Sequence, residues 1–323
     1  MATRGKPTPE DGLKLHSRTT RFGDLQQCVV LMGDGFLYHE SAKHRVCDMW
    51  QAIISRDVGR SAVVFADRDP RRILAFGVSG AIDDACFETI KTGGLGFVGR
   101  RFLDEWCAGH APFLNEAEFA LANAGAGINM LVLHNGIVAT TDETLASHLW
   151  SLLAESFIVQ HAGLNLKSFA HEAFSLPAQF AADLGFNVRL DHPIYDIGEL
   201  KALSGRRPFI ASMTRADAAI SPGNLALNQT FLRFNRPFLG LTETERSLLR
   251  FALEGEPDHI IAATLSIAPA TLKKHWARIY QKAGHVVEVS IGGESGHRGA
   301  EARRHVLHYV RQHREELHAY RPT

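Results

Sequence analysis

The chain has 323 residues, 45% of them hydrophobic, which is enough for two packed cores, and its 35 Lys and Arg balance 35 Asp and Glu. A net charge of zero excludes any argument for a polyanion partner from the total and moves that question to local charge. No run of about 18 apolar residues occurs, which excludes a spanning helix, and Cys28, Cys47, Cys86 and Cys107 form no C-x-x-C pair, which points to reduced thiols rather than a disulfide frame or zinc knuckle.

Residues 1–22 are polar, rich in Lys, Arg, Thr and Pro, and lack the apolar core of a secretory signal; they read as a disordered tail of a cytoplasmic protein. From 23 to 204, β-branched runs alternate with helical patterns, the mark of a mixed α/β layer. The spacing predicts helices over 39–54 and 141–160, the second with Thr141 and Thr144 as candidate caps and a stripe of Leu145, Leu149, Leu152, Leu153 and Phe157. Strands are expected over 61–66 (SAVVFA), 73–82 and 128–134. Val63 with Val64, and Leu131 through Leu133, are consecutive apolar residues, so these strands should be covered on both faces.

Gly94 to Gly99 (GLGFVG) fits G-x-G-x-x-G, but residues 83–91 before it read as a helix rather than a strand, so a glycine-rich loop is the better reading. Asn123 to Gly127 precedes a strand, the wrong order for a phosphate cradle, and reads as a turn. His134 and His171 sit in strand-like text and read as hydrogen-bonded structural residues. After His192 the pattern weakens, and residues 205–238, punctuated by glycines and prolines, read as a linker. The fold class is therefore α+β in two domains, a sensor-like mixed α/β domain over 23–204 and an all-α helix-turn-helix domain over 239–323.

In the second domain, Thr242 followed three residues later by Glu245 is a capping box that starts one helix, and Gly255 stands where a left-handed cap would end it. Pro257 and Asp258 open a second short helix, and Ser266-Ile267-Ala268 is a turn of the length that joins two helices steeply. Pro269 then occupies the first position of a third helix, expected over about 269–284. On it Leu272, Trp276, Ile279 and Ala283 share one stripe at about 100° per residue. Opposite lie Ala270, Lys274, Ala277, Arg278 and Gln281, flanked by Thr271, Lys273 and Lys282, with no acidic residue between Ala270 and Gly284. A short helix with this cationic, small-residue face fits a major groove about 12 Å wide, with long cations on phosphates and Lys274 or Gln281 reaching base edges.

Three motifs carry a resemblance. L-T-x-x-E-R-x-L-L at 241–249, G-x-x-[ND]-x-x-I-A at 255–262 and P-A-T-L-K-K-H-x-x-R-I-Y-x-K at 269–282 resemble the DNA-binding domain of LuxR/FixJ (GerE-type) regulators. The resemblance implies a core of Leu241, Leu249, Ile261, Ala262, Leu265, Leu272 and Ile279, with Thr271, Lys273, Lys274 and Ala277 toward the groove. It implies a transcription regulator that binds double-stranded DNA and carries an N-terminal sensor for a small-molecule effector or a partner; a homodimer is an open alternative, since the segment inserted before the last helix separates that helix from its usual place. The sequence departs from the family at Ala268, in place of a capping Ser or Thr, at Ile260 and at Ala283. It also inserts residues 285–299 before a last helix expected over 300–319, which carries His305, His308, His313 and His318. His305 and His308, one turn apart, could hold zinc only with additional Cys, Asp or Glu ligands in space, and no metal is assigned.

The order of strands and helices in the N-terminal domain resembles an acyl-CoA N-acyltransferase fold. The phosphate-binding loop that such a fold places after its central strand is replaced here by His134-Asn-Gly-Ile-Val-Ala-Thr140. No catalytic residues, cofactor or metal are therefore assigned. An acyltransferase-like enzyme and a protein-interaction adaptor with a docking helix-turn-helix stand as the alternatives.

Overall fold

The computed structural model describes residues 14–32, 40–174, 178–190, 208–221, 225–284 and 298–322. Seven strands form one sheet: β1 (Leu15–Thr19), β2 (Gly59–Ala66), β3 (Asp69–Ile82), β4 (Ile128–Ile137), β5 (Leu166–Ala173), β6 (Asn187–Arg189) and β7 (Phe209–Thr214), in the spatial order β1-β2-β3-β4-β5-β7-β6. Neighbours are antiparallel except β4 and β5, which run parallel. A bulge interrupts β4: Val78 faces His134 and Ser79 faces Val132, which leaves Leu133 without a partner on β3.

The helices of this domain are α1 (Leu25–Met32), α2 (Glu40–Ser55), α3 (Asp84–Lys91), α4 (Val98–Cys107), α5 (Glu116–Ala124), α6 (Glu143–His161), α7 (Ala178–Asp183), α8 (Arg215–Ile220) and α9 (Leu225–Leu232). Helices α1 and α2 pack on the sheet face that carries Val63, Phe76 and Val78. Helix α6 packs on the other face, where Leu149 meets Val64 and Leu74. Val63 and Val64 are both fully buried, as expected for a strand covered on two sides. Asp142, rather than Thr141 or Thr144, caps α6, its carboxylate accepting from Thr144 N at 3.0 Å and Leu145 N at 3.1 Å.

Two expectations about boundaries change. Leu15–Thr19, counted in the polar tail, pairs along its whole length with β2; an edge strand needs few apolar residues because one side faces solvent. The remainder of that tail, residues 1–13, lies outside the described residues. The proposed linker contains β7, which lies between β5 and β6 and is almost wholly buried, together with α8 and α9. Residues 233–242, which follow α9, form neither helix nor strand.

The glycine-rich loop leads into α4, and its free amides are taken: Phe97 N and Val98 N donate to the two carboxylate oxygens of buried Glu172 at 2.7 and 2.6 Å. A protein carboxylate thus fills the place an anion would take at this helix start. The four cysteines are free, with Cys28 and Cys47 buried; burial and the Asp24 carboxylate push the Cys28 thiol up to about 12.

The second core is helical. It is built by α10 (Glu243–Leu253), α11 (Asp258–Thr264), α12 (Pro269–Ala283) and α13 (Arg298–Gln312), with a short 3-10 turn at Arg314–Leu317 in place of the end of the expected last helix.

Candidate nucleic-acid interface

Local chemistry sets each end of the helix-turn-helix. Thr242 N donates to Glu245 Oε2 at 2.8 Å and Glu245 N to Thr242 Oγ1 at 3.4 Å, so the capping box forms. Gly255, at φ +84, turns the chain after α10 where a β-carbon would be strained. Ser266 takes φ +53 in the turn between α11 and α12. Ala268 occupies the cap of α12 with no side-chain hydrogen bond, the consequence expected from its methyl group, and Pro269 takes the first helical position.

Leu272, Trp276, Ile279 and Ala283 of α12 are buried against Leu248, Leu249, Ile261, Val306 and Val310. The opposite face is open. Thr271, Lys273, Lys274, Ala277, Arg278 and Gln281 are all exposed, and among the described residues no carboxylate pairs with Lys273, Lys274 or Arg278. Lys282 differs: it is half-buried, 2.7 Å from Glu245 Oε2, and donates to the Gly240 carbonyl at 2.8 Å. Its charge balances a carboxylate inside the domain and is withdrawn from the cationic face. Arg303 of α13 is likewise engaged, with Asp258 at 2.8 Å and over the Trp276 ring at 4.6 Å. Among the described residues no group of three metal-ligating side chains gathers, and His318 of the expected histidine cluster is buried elsewhere.

Sequence reasoning missed the joint between the two domains. Asp57, in the turn between α2 and β2, takes φ 61 and is only 4% exposed. Its carboxylate meets Arg60 at 3.0 Å, Arg250 at 2.7 Å and Arg246 at 3.5 Å, the last two on α10. Burial alone would raise the Asp57 carboxyl, but the guanidiniums of Arg250, Arg60 and Arg246 outweigh it and hold the group below the usual carboxylate range. Arg60 Nη2 lies 2.9 Å from His318 Nδ1. Because His318 Nε2 is 2.8 Å from the Ala162 carbonyl, which can only accept, Nε2 carries the proton and Nδ1 accepts from Arg60.

The C-terminal tail closes the joint. Arg250 donates to the Leu317 carbonyl, and the Glu316 carboxylate accepts from Phe238 N and Leu239 N at 2.8 and 2.9 Å. Asn123 Nδ2 donates to the Ala319 carbonyl at 2.8 Å, and Thr19 N donates to Glu254 Oε1 at 2.8 Å. Gly163, at φ +82, lets the tail approach, since a β-carbon there would lie 2.2 Å from Glu315 N. The only local signal for this joint was the pair Arg246 and Arg250, one turn apart on an otherwise acidic stretch.

Residues 239–285 match the family model for bacterial regulatory proteins of the luxR family. No curated protein matches the chain. By structure it is similar to a polyamine N-acetyltransferase of Drosophila melanogaster, at TM-score 0.34 and 13% identity over 62% of this chain and 100% of that one. It is also similar to FeeM, an N-acyl amino acid synthase from uncultured soil microbes, at TM-score 0.36 and 8% identity over 66% and 97%. An apo agmatine N-acetyltransferase gives 0.32 and 13% over 62% and 100%. Scores of this size carry nothing about chemistry. Residues 239–285, with their capped helices, steep turn and exposed cationic face, are a GerE-type helix-turn-helix domain of the luxR family.

Proposed function

We propose that the chain is a cytoplasmic transcription regulator that places α12 in the major groove of double-stranded DNA, while the α/β domain sets how that helix is presented. One observation carries the reading: within a luxR-family domain, a single helix buries its apolar stripe and leaves Thr271, Lys273, Lys274, Ala277, Arg278 and Gln281 open to solvent. Lys273 and Arg278 suit phosphates, and Lys274 and Gln281 are long enough for base edges. A homodimer would set half-sites about 10 base pairs apart or a multiple of that.

The acyltransferase alternative draws less support. At the start of α6, where a pyrophosphate would need free amides, Asp142 already accepts two of them, and Glu143 adds a second carboxylate. We assign no catalytic residue.

The test is retention of a mixed-sequence duplex, followed by fluorescence anisotropy between 50 and 200 mM salt, the range over which phosphate contacts act. Lys273→Ala with Lys274→Ala is expected to weaken binding and flatten the slope of log K against log salt by roughly 0.9 per lost phosphate contact. An unchanged slope removes both from the phosphate backbone, and unchanged affinity with it removes both from the interface and overturns the reading.

A further inference from the structure

A cavity opens between the sheet and α6, with the concave, mostly apolar lining of a small-molecule site. Its walls are mostly hydrocarbon and aromatic: Trp150, Leu153 and Phe157 from α6, Val132 and Phe169 from β4 and β5, and Leu184 beyond α7. Hydrocarbon walls favour an apolar occupant, so the few polar groups decide its chemistry.

Two of them are already satisfied. His161 Nδ1 lies 2.8 Å from the Phe157 carbonyl and therefore carries the proton, so Nε2, at 3.0 Å, accepts from the Ser79 hydroxyl. Arg60 lines the cavity too; it is paired with Asp57 at 3.0 Å, a carboxylate it shares with Arg246 and Arg250, and its Nε is buried without a partner. His171 is the neutral group with an open polar atom. It is only 5% exposed, and its Nε2 is buried without a hydrogen-bond partner while the ring lines the cavity. Burial pushes the ring down to about 4, so it is uncharged at neutral pH. An unpaired buried polar atom costs about 1–3 kcal/mol, which a ligand atom bonded to it would relieve. The one charged side chain in the wall, Arg60, is already seated on Asp57, so a charged ligand would give up its hydration for little return.

We propose that this cavity binds an uncharged, mainly hydrocarbon small molecule through one carbonyl or hydroxyl oxygen at His171 Nε2, and that occupancy reaches the DNA-binding helices through Arg60. Arg60 is the shared part: one side borders the cavity, and the other holds Asp57 and His318 in the joint with α10. A ligand that shifts Arg60 changes the partner of the carboxylate on which Arg246 and Arg250 are seated. The coupling to α10 rests on the regulator reading, whereas the binding site does not.

The full chain is titrated with 2-dodecanone, 1-dodecanol and dodecanoate, followed by tryptophan fluorescence, since Trp150 lines the site. The ketone or the alcohol is expected to bind saturably and at least tenfold more tightly than the carboxylate. His171→Phe, which keeps the ring size, should weaken the preferred ligand about tenfold, and Ala154→Trp, which fills the cavity, should abolish binding. Coupling is read without DNA, as a change in hydrogen exchange of the α10 amides on ligand addition that Asp57→Asn removes. Absence of saturable binding, equal affinity for dodecanoate, or full affinity in both variants overturns the site. Binding with unchanged α10 exchange overturns the coupling. A chain that binds the ketone and shifts α10, yet retains no DNA at any salt, refutes the regulator reading alone.

Discussion

Replacing Asp57 with Asn tests the joint most directly. The carboxylate is 4% exposed and lies within 3.5 Å of three guanidiniums, of which Arg60 and Arg246 have side chains only 7% and 12% exposed. Asparagine keeps the shape and removes the one negative charge, leaving three cations facing each other with little water. Removing one partner of a buried pair costs about 3–5 kcal/mol. Arg250, at 24% exposed, can swing toward solvent, so the lower end is expected, about 3 kcal/mol. Relief comes by separating α10 from the α/β domain, so the loss should appear as undocking rather than as collapse of either core. Urea unfolding followed by tryptophan emission, with Trp50 in one core and Trp276 in the other, is expected to give one transition in the parent chain and two in the variant. A double-mutant cycle with Arg250→Gln should return a coupling of about 1–3 kcal/mol. A loss below about 1 kcal/mol, the range of surface ion pairs, with the transitions still coincident, would show that the cluster does not hold the domains together.

Lys282→Ala should lower the stability of the helical domain by about 2 kcal/mol, because Glu245, whose side chain is 1% exposed, loses its cation. The salt slope for DNA should not change, in contrast to Lys273→Ala with Lys274→Ala. Ala268→Ser supplies the missing cap of α12 and is expected to stabilise by about 1 kcal/mol, read as a higher urea midpoint at unchanged slope. Burial holds His134 and His161 down to about 3 and His171 to about 4, and burial with the charges of Arg60 and Arg250 holds His318 well below 6.5. Below pH 6.5 the unfolded chain therefore binds more protons than the folded one, so stability should fall steadily as pH drops from 6.5 toward about 3. A flat profile between pH 7 and pH 4 would mean that these rings are not buried uncharged.

How much was legible depends on the distance over which each feature is decided. The stripe Leu272, Trp276, Ile279 and Ala283 and the Thr242–Glu245 box depend on residues within a few turns, so periodicity and capping rules locate them. The same holds for β2 and β4, whose consecutive apolar residues announced a sheet covered twice. Edge strand β1 and strand β7 escaped, the first because one open side permits polar residues, the second because breaker residues on either side suggested a linker. Histidine shows the limit most clearly. His134 and His171 read alike in sequence, yet His134 accepts from Trp50 Nε1 at 3.0 Å, whereas His171 reaches the cavity with Nε2 unpaired.

What the sequence determined alone was a helix with one greasy and one cationic side, because a helix repeats every 3.6 residues and needs no distant partner to do so. Whether a cation on that helix stays free was decided in three dimensions: Lys282 sits on the flank of the face, and only the packing of α10 brings Glu245 to it. The joint of Asp57 with Arg246 and Arg250 is tertiary in the same sense. Charges far apart in the chain become neighbours only when packing brings α10 against the turn that carries Asp57 and excludes the water between them.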